Sequence, residues 1–305
     1  PEKKGLTSND VIQIGGDIPV VGSFNDAKKY NPDHLVIGNA PQGGIVSNQM
    51  LIEIKEAIRN GINIVSGMHE FLSKDIHLKK LAEQFGSKII DLRMPPSPPS
   101  FSKGSWRKRN IPVLLVVGTD CDTGKMTTAW EIKTRLSDLN KKVKFIGTGQ
   151  TGILLSDGIA IDAVISDFMS GEIENLIDTK VENDTDLIIV EGQGALSNYA
   201  YSGVTLGLMH GCMPDYLILT HDPSRSKDVM GYKMPDIKEL MQLHIDLMSP
   251  FKISSFIGIN LLTFEMGESI AKNTINEFES LYKLPTTDLI RFGDSNLIKS
   301  IYNLI

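Results

Sequence analysis

The sequence predicts an α/β protein of two doubly wound domains, and three observations carry that prediction. Short Val- and Ile-rich runs alternate with stretches of helical apolar spacing along the chain, the pattern of parallel strands covered by helices. At 305 residues the chain is longer than one hydrophobic core usually serves. Met94–Pro99, MPPSPP, sets four prolines in six residues, which neither a helix nor a central strand tolerates.

In the first part, residues 1–93, buried strands are expected at Val11–Ile14, Val20–Gly22, Leu35–Gly38, Ile62–Val65 and Ile89–Leu92. Ser47–Asn60 repeats apolar residues at Met50, Leu51, Ile54 and Ile58, and Leu78–Phe85 repeats that spacing, so both read as helices. No G-x-G-x-x-G follows the first strand, so a dinucleotide site is unsupported there. Residues 94–110 read as a Pro-rich linker, with Arg107-Lys108-Arg109 a solvated face. In residues 111–305, strands are expected at Val113–Val117, Val143–Ile146, Leu187–Val190, Tyr216–Leu219 and Phe256–Ile259. Helices are expected at Lys125–Leu139, Ser170–Ile177, Asp236–Leu247 and Glu268–Tyr282.

Composition narrows the function classes. Hydrophobic residues make up 41%, charged residues 22%, and the net charge is −6 with a pI of about 5.6. That balance argues against nucleic-acid or membrane partners, and no apolar run reaches the length of a membrane span. Two cysteines, Cys121 and Cys212, cannot build a disulfide framework, and no CxxC pair offers a zinc site; no metal site is expected. The opening PEKKGLTSND is too polar for a signal peptide, so the expected compartment is the cytoplasm.

The most informative segment is Val113–Thr128, VLLVVGTDCDTGKMTT. A buried strand runs into Gly118, and Gly124-Lys125 open a helix. Backbone N–H groups and the helix N-terminus then face an anion. Gly118, Thr119, Asp120, Cys121, Asp122, Thr123, Gly124, Lys125, Met126 and Thr127 are the residues expected to hold a cofactor's phosphates, with Lys125 as the point charge. The pattern G-x-x-x-x-G-K-[ST] is broken twice: five residues separate Gly118 from Gly124, and Met126 takes the place of the magnesium-binding hydroxyl. The spacing resembles the dethiobiotin-synthetase type of P-loop protein. Methionine offers no oxygen to a hard cation. Either Thr127 takes the magnesium role or the loop holds phosphates without hydrolysing them. Cys121 lies near a helix N-terminus, which lowers a thiol pKa; it reads as a packing residue, with a nucleophile as the alternative.

Other candidates follow strands. Glu191 ends Leu187–Val190 and faces the phosphates, as a general base, as a metal or water positioner, or as a helix cap. In GTGQTG, Gly147–Gly152, the residues Gln150, Thr151 and Gly152 read as a substrate loop, as does Gln193 beside Glu191. Asp162 and Asp167 flank a short apolar run, as base, amine clamp or helix cap. His221 and Arg225 follow Tyr216–Leu219; His221 reads as catalytic or structural, and Arg225 suits a carboxylate through its fork of donors. In the first domain, Asn39–Gly44 and Gly67–Phe71 follow strands and suggest a cleft-facing edge, with His69 and Glu70 an acid–base pair or Glu70 a helix cap.

The blocks VGTDCDTGKMTT, GTGQTGI, GIAIDAVISDF, VEGQG, YSGVTLGLMHG and HDPSR resemble a bacterial and archaeal P-loop family long labelled a domain of unknown function, which includes D-glutamate N-acetyltransferase. LVIGNAPQGG and GINIVSGMHEFLS are similar to that family's N-terminal Rossmann-like domain. The resemblance implies a Rossmann-like first domain, a P-loop NTPase-like second domain, and acetyl transfer from acetyl-CoA to a small acidic D-amino acid. One departure is visible: after VEGQG, members show Ser-Leu and then His-Pro-Ala, whereas this chain has Ala195-Leu196-Ser197-Asn198-Tyr199-Ala200. Coenzyme A carries a 3′-phospho-ADP portion, and acetyl transfer requires no magnesium, so Met126 is consistent with that use. On this reading Glu191, Asp162 or Asp167 is the base, Arg225 clamps a carboxylate, and backbone donors near Gly149–Gly152 meet the oxyanion. An ATP- and magnesium-dependent ligase or kinase is the alternative enzyme, and a nucleotide-binding regulatory module the non-catalytic one. A homo-oligomer is expected.

Overall fold

The computed structural model describes residues 3–12, 15–38, 44–293 and 296–305. The chain divides into two compact units, Pro1–Met94 and Pro95–Ile305.

In the first unit the elements run α1 (Ser8–Ile12), α2 (Phe24–Ala27), β1 (His34–Ile37), α3 (Asn48–Arg59), β2 (Asn63–Ser66), α4 (Ile76–Phe85) and β3 (Ile89–Asp91). The strands pair in parallel in the order β1-β2-β3, so among the described residues this sheet is wound in one direction. Ser47 accepts a hydrogen bond from Met50 N at 3.2 Å and starts α3. Asp75 caps α4, which ends at Gly86 with φ 71°; that left-handed conformation suits glycine. Ile54, Ile58, Ile64, Met68, Leu72 and Leu78 form the core.

Two expected strands of this unit are not strands. Val11 and Ile12 lie in α1, because Thr7 and Asp10 exchange side-chain-to-backbone bonds (2.8 and 3.2 Å), the reciprocal arrangement that starts a helix. Residues 13 and 14 lie outside the described residues. Val20 exchanges backbone hydrogen bonds with Gly5 and Leu6 (3.0 and 2.8 Å), outside the sheet, and Pro19 beside it has no N–H for a ladder.

The second unit contains β4 (Val113–Gly118), α5 (Lys125–Asp138), β5 (Val143–Ile146), α6 (Gln150–Leu155), α7 (Ser166–Lys180), β6 (Leu187–Glu191), α8 (Ser202–Cys212), β7 (Tyr216–His221), α9 (Ile237–Met248), β8 (Ser255–Leu261), α10 (Glu268–Tyr282), β9 (Thr286–Thr287), α11 (Leu289–Phe292) and α12 (Asn296–Tyr302). Its sheet is parallel, in the order β5-β6-β4-β7-β8-β9. The order reverses at β4, so this sheet is doubly wound and its switch point lies at the carboxyl end of β4. Alternate residues of β4 feed two cores. Val113, Leu115 and Val117 pack with Ile173 of α7, Leu208 of α8 and Ile237 of α9. Leu114 and Val116 pack with Ile132 of α5 and Leu297 of α12.

The stretch read as a linker belongs to this second unit from Pro95 onward. Glu172 and Glu174 of α7, each 2% exposed, accept from its backbone: Ser100 N reaches Glu172 at 2.5 Å, Lys103 N reaches Glu174 at 2.5 Å, and Ser105 N also reaches Glu174. Arg109 is not a solvated face. Its Nη1 donates to the Cys212 carbonyl at 2.9 Å, and Nη2 lies 3.7 Å from Asp178.

Helix α8 was not expected, because its glycines lower helix propensity. Gly203, Gly207 and Gly211 recur every fourth residue, and α8 packs on α7 through the latter two. A Cβ on Gly207 would stand 3.0 Å from Met169 Sδ, and one on Gly211 2.8 Å from Ile173 Cβ and 2.9 Å from the Ser170 carbonyl. Gly211→Ala therefore forces α7 and α8 apart. The expected result is a loss of about 1–3 kcal/mol, as for other overpacked cores, read in urea or thermal unfolding. A variant as stable as the parent contradicts this close packing.

Candidate functional site

The loop between β4 and α5 is held at both ends. Asp122 has φ 56° and Gly124 φ 84°, so the chain turns back on itself before α5. Thr123 Oγ1 donates to the Asp120 carbonyl at 3.1 Å and meets Thr220 Oγ1 at 2.8 Å. Lys125 opens α5, is 8% exposed, and donates from Nζ to the Asp120 carbonyl at 2.6 Å. Burial pushes its amine down from the ordinary lysine value, while Cys121, Asp120, Asp122 and Glu191 pull the other way. Gly118 lacks a side chain where one would crowd the loop: a Cβ would stand 3.0 Å from Lys125 Nζ.

Asp120 is the hub of the loop. It is fully buried and collects donors from three residues on two distant segments. Asn198 Nδ2 reaches it at 2.9 Å, Val229 N at 2.7 Å, and Arg225 Nη2 makes an ion pair with it. Arg225 Nη1 donates to the Cys121 carbonyl at 2.8 Å. Both terminal nitrogens of Arg225 are thus committed to the loop. Expected to clamp a substrate carboxylate, Arg225 here braces the phosphate loop through Asp120 and the Cys121 carbonyl. The Cys121 thiol differs from the lowered pKa expected near a helix start. Half-buried, it is pushed up, chiefly by burial, despite Lys125 nearby, which disfavours the thiolate a nucleophile needs.

Glu191 ends β6 in register with Val116 of β4 and is 5% exposed. Its Oε2 accepts from Thr148 N at 2.9 Å and Gly149 N at 3.2 Å, while Thr148 Oγ1 donates to its carbonyl at 2.8 Å. Gln193 Nε2 reaches Thr148 Oγ1 at 3.2 Å. The glycines of GTGQTG make room for this carboxylate: a Cβ on Gly149 would stand 3.3 Å from Glu191 Oε1, and one on Gly152 would strike Oε2. The Gly149 N–H, expected to meet an oxyanion, is thus taken by Glu191. Gln150, Thr151 and Gly152 form the first turn of α6, directly after Gly149. Beside Glu191, a Cβ on Gly192 would stand 3.2 Å from Lys125 Cδ. The lysine that opens α5 and the carboxylate that ends β6 are therefore near neighbours.

Asp162 lies in a short 3-10 turn, Ile161–Ala163, and Ile161 N donates to the Thr148 carbonyl at 3.2 Å, which brings Asp162 towards the Glu191 group. Asp167 is exposed in the first turn of α7 and joins none of these bonds. Met126 is half-buried and Thr127 exposed; Thr128 is buried and accepts from Asn260 Nδ2 at 2.9 Å.

His221 ends β7, is 7% exposed, stacks on Phe278 at 5.7 Å and shares a 2.9 Å hydrogen bond between Nδ1 and Thr119 Oγ1. Burial pushes its pKa down to about 4, and burial does the same for His244, also to about 4. Both are neutral in the fold at pH 7. Below the ordinary value of about 6.5 the unfolded chain takes up protons that the fold refuses, so stability is full above pH 6.5 and falls towards pH 4. Each histidine contributes about 1.4 kcal/mol per pH unit inside that window. His244 Nδ1 bonds only the Leu240 carbonyl, at 2.7 Å, so His244→Phe is expected to flatten the fall of denaturation midpoint between pH 6.5 and 4.5. An unchanged slope tells against this account.

In the first unit, Glu70 caps no helix; its carboxylate accepts from Val46 N at 3.0 Å and closes the Gly44–Val46 segment. Gly44, at φ 61°, would crowd His69 if it carried a Cβ. Residues 39–43 of the Asn39–Gly44 block lie outside the described residues. Sequence reasoning missed Thr148, Thr220 and the Asp120 hub. For Thr220 a signal existed, a hydroxyl ending a buried apolar strand.

A parallel sheet with a glycine-lysine loop at its switch point defines a P-loop protein, here preceded by a separate α/β unit. Residues 100–298 match the P-loop domain of the family called domain of unknown function DUF1611, and residues 1–95 match its Rossmann-like N-terminal domain; the chain belongs to that family. Two curated relatives, from Tritonibacter scottomollicae (36% identical over 283 residues) and a Pseudoalteromonas species (34% over 286 residues), are each named D-glutamate N-acetyltransferase. Each alignment covers 92% of this chain and 84% of the relative. The crystal structure of a DUF1611 family protein from Anabaena variabilis superposes with a TM-score of 0.93 at 32% identity, covering 99% of this chain and 89% of that one. Among the described residues no helix is long and apolar enough to cross a membrane.

Proposed function

We propose that this chain is an N-acetyltransferase that moves acetyl from acetyl-CoA to the amino group of D-glutamate or a related D-amino acid, in the manner its curated relatives' name describes. The observation that carries this reading is the nearness of Lys125, at the start of α5, to the buried carboxylate of Glu191 at the end of β6. A loop of this kind holds phosphates, and a carboxylate beside it handles a proton.

The residues fit coenzyme A. Lys125 and the backbone from Gly118 to Gly124 would hold its phosphates, in a cradle that a side chain at Gly118 would crowd. Met126 supplies no oxygen to a hard cation, which suits a ligand whose phosphates are gripped and not cleaved. When bound, acetyl-CoA supplies an acetyl group activated as a thioester.

The chain's own groups do the rest. An amine is a nucleophile only when neutral, so a base must hold its proton. Glu191 is the first candidate for that task, and its orientation is fixed by Thr148 N and Gly149 N. Asp162, beside the same loop, is the second candidate. Neutral His221 orients Thr119 at the start of the phosphate loop. Arg225 and Asn198 hold Asp120, and through it the loop's shape.

The protein is incubated with acetyl-CoA and D-glutamate, free thiol is followed, and the product is weighed by mass spectrometry. Equimolar thiol and N-acetylated amino acid are expected. Absence of thiol release with every D- and L-amino acid sinks the reading. Magnesium-dependent ADP release from ATP, abolished by Thr127→Ala, replaces it with the ligase or kinase.

A further inference from the structure

We infer that Tyr199 and Tyr232 form the wall against which the carbon chain of the acceptor amino acid packs, and so set which acceptor is used; this rests on the acetyl-transfer reading above.

Two loops meet at the phosphate loop. The first leaves Glu191 at the end of β6. Thr205 Oγ1 donates to the Gln193 carbonyl at 2.6 Å, and Gly194 turns the chain at φ 55°. Ser197 Oγ then donates to the Thr119 carbonyl at 3.2 Å, and Asn198, 1% exposed, donates to Asp120. Tyr199 follows immediately. The second loop is a hairpin. Met234 N donates to the Ser226 carbonyl at 3.1 Å, Asp228 N to the Tyr232 carbonyl at 2.7 Å, and Tyr232 N to Asp228 Oδ1 at 2.8 Å. Its tip is pinned through Val229 N to the same Asp120 carboxylate.

The two rings therefore stand on segments anchored by one buried carboxylate. They meet edge to face, 5.7 Å between centroids at 88°. Yet Tyr199 is 68% exposed and Tyr232 61%, so most of each ring faces outward. Neither phenol hydroxyl has a hydrogen-bond partner among the described residues. A rigid aromatic corner, ordered by its anchors and left open, is pre-organised for a ligand. Its position names the ligand. Tyr199 belongs to the segment that begins at Glu191, the proposed base, and both rings sit on segments bonded to Asp120. At the far end of the loop, by contrast, Gly124 lies beside Leu262. A substrate whose amine reaches Glu191 would extend its side chain along this segment towards the corner.

The test is steady-state kinetics on the full chain with acetyl-CoA and a panel of D- and L-amino acids. Tyr199→Ala and Tyr232→Ala are expected to raise the KM of the preferred acceptor about tenfold, the value of a few buried carbon atoms, and to reorder the panel. The KM of acetyl-CoA stays within twofold. Tyr199→Phe, which keeps the ring, stays close to the parent. Thermal midpoints measured alongside show that the fold is intact. An acceptor KM that does not move, or an acetyl-CoA KM that rises in step, overturns the inference and leaves the acetyl-transfer reading standing. Conversion of an oligomer to monomers by either alanine variant also overturns it, since the corner is then a contact between copies. No turnover by the parent with any amino acid removes both readings together.

Discussion

Lys125→Met is expected, on the acetyl-transfer reading, to lower the affinity for coenzyme A by about a hundredfold, the upper range for losing a hydrogen bond made by a charged group. The replacement keeps the aliphatic stem that Gly192 packs beside and removes only the ammonium. Stability is expected to hold or to rise. Lys125 is 8% exposed and its amine bonds the Asp120 carbonyl, and a buried charge with few partners costs more than it returns. Calorimetry with three ligands isolates the cause. Coenzyme A and 3′,5′-ADP carry phosphates and lose affinity together; pantetheine carries none and is unaffected. A loss of less than threefold for coenzyme A removes Lys125 from the phosphate grip. Equal losses for all three ligands point to a distorted loop.

How much of this site could be read in advance differs from residue to residue, for physical reasons. Val113–Lys125 was legible because a fully buried strand, a glycine turn and a helix start are all local patterns. The position of Glu191 was legible because it closes an apolar strand at the carboxyl edge of a parallel sheet, a local pattern. Asp120 was legible as a loop residue but not as a hub. Its partners Asn198, Arg225 and Val229 lie 78, 105 and 109 positions away, and convergence over such distances leaves no local trace. The bonds of Arg225 to the loop were not legible for the same reason, since the anion it meets here comes from the loop itself. For Cys121, read as a packing residue, only the lowered thiol pKa expected near a helix start failed, because that proximity says nothing about burial, and burial dominates there. Residues 95–110 looked like a linker by composition. Their exposed backbone donors are met by Glu172 and Glu174, whose sequence spacing reads as an ordinary acidic helix.

Glu191→Gln is the second large effect, and it falls on kcat. Removing a general base typically costs about 10²–10⁴ in rate. Glutamine retains one oxygen that can accept from Thr148 N and Gly149 N, the two bonds that orient the carboxylate; the loop therefore keeps its shape, and coenzyme A binding is expected to stay within twofold. The pH profile separates a lost base from a damaged site. Without a protein base, only acceptor molecules that are already neutral react, so the residual rate climbs with pH up to the amine's own pKa. A damaged site is slow at every pH. Asp162→Asn and Asp167→Asn rank the remaining carboxylates. Asp167 is exposed in α7 and outside the cluster, so its change leaves the rate unaltered, whereas Asp162 follows a residue bonded to the Thr148 carbonyl and is expected to cost less than Glu191. If Glu191→Gln turns over within threefold of the parent while Asp162→Asn collapses, the base is Asp162 and the Glu191 carboxylate is a brace for Thr148 and Gly149.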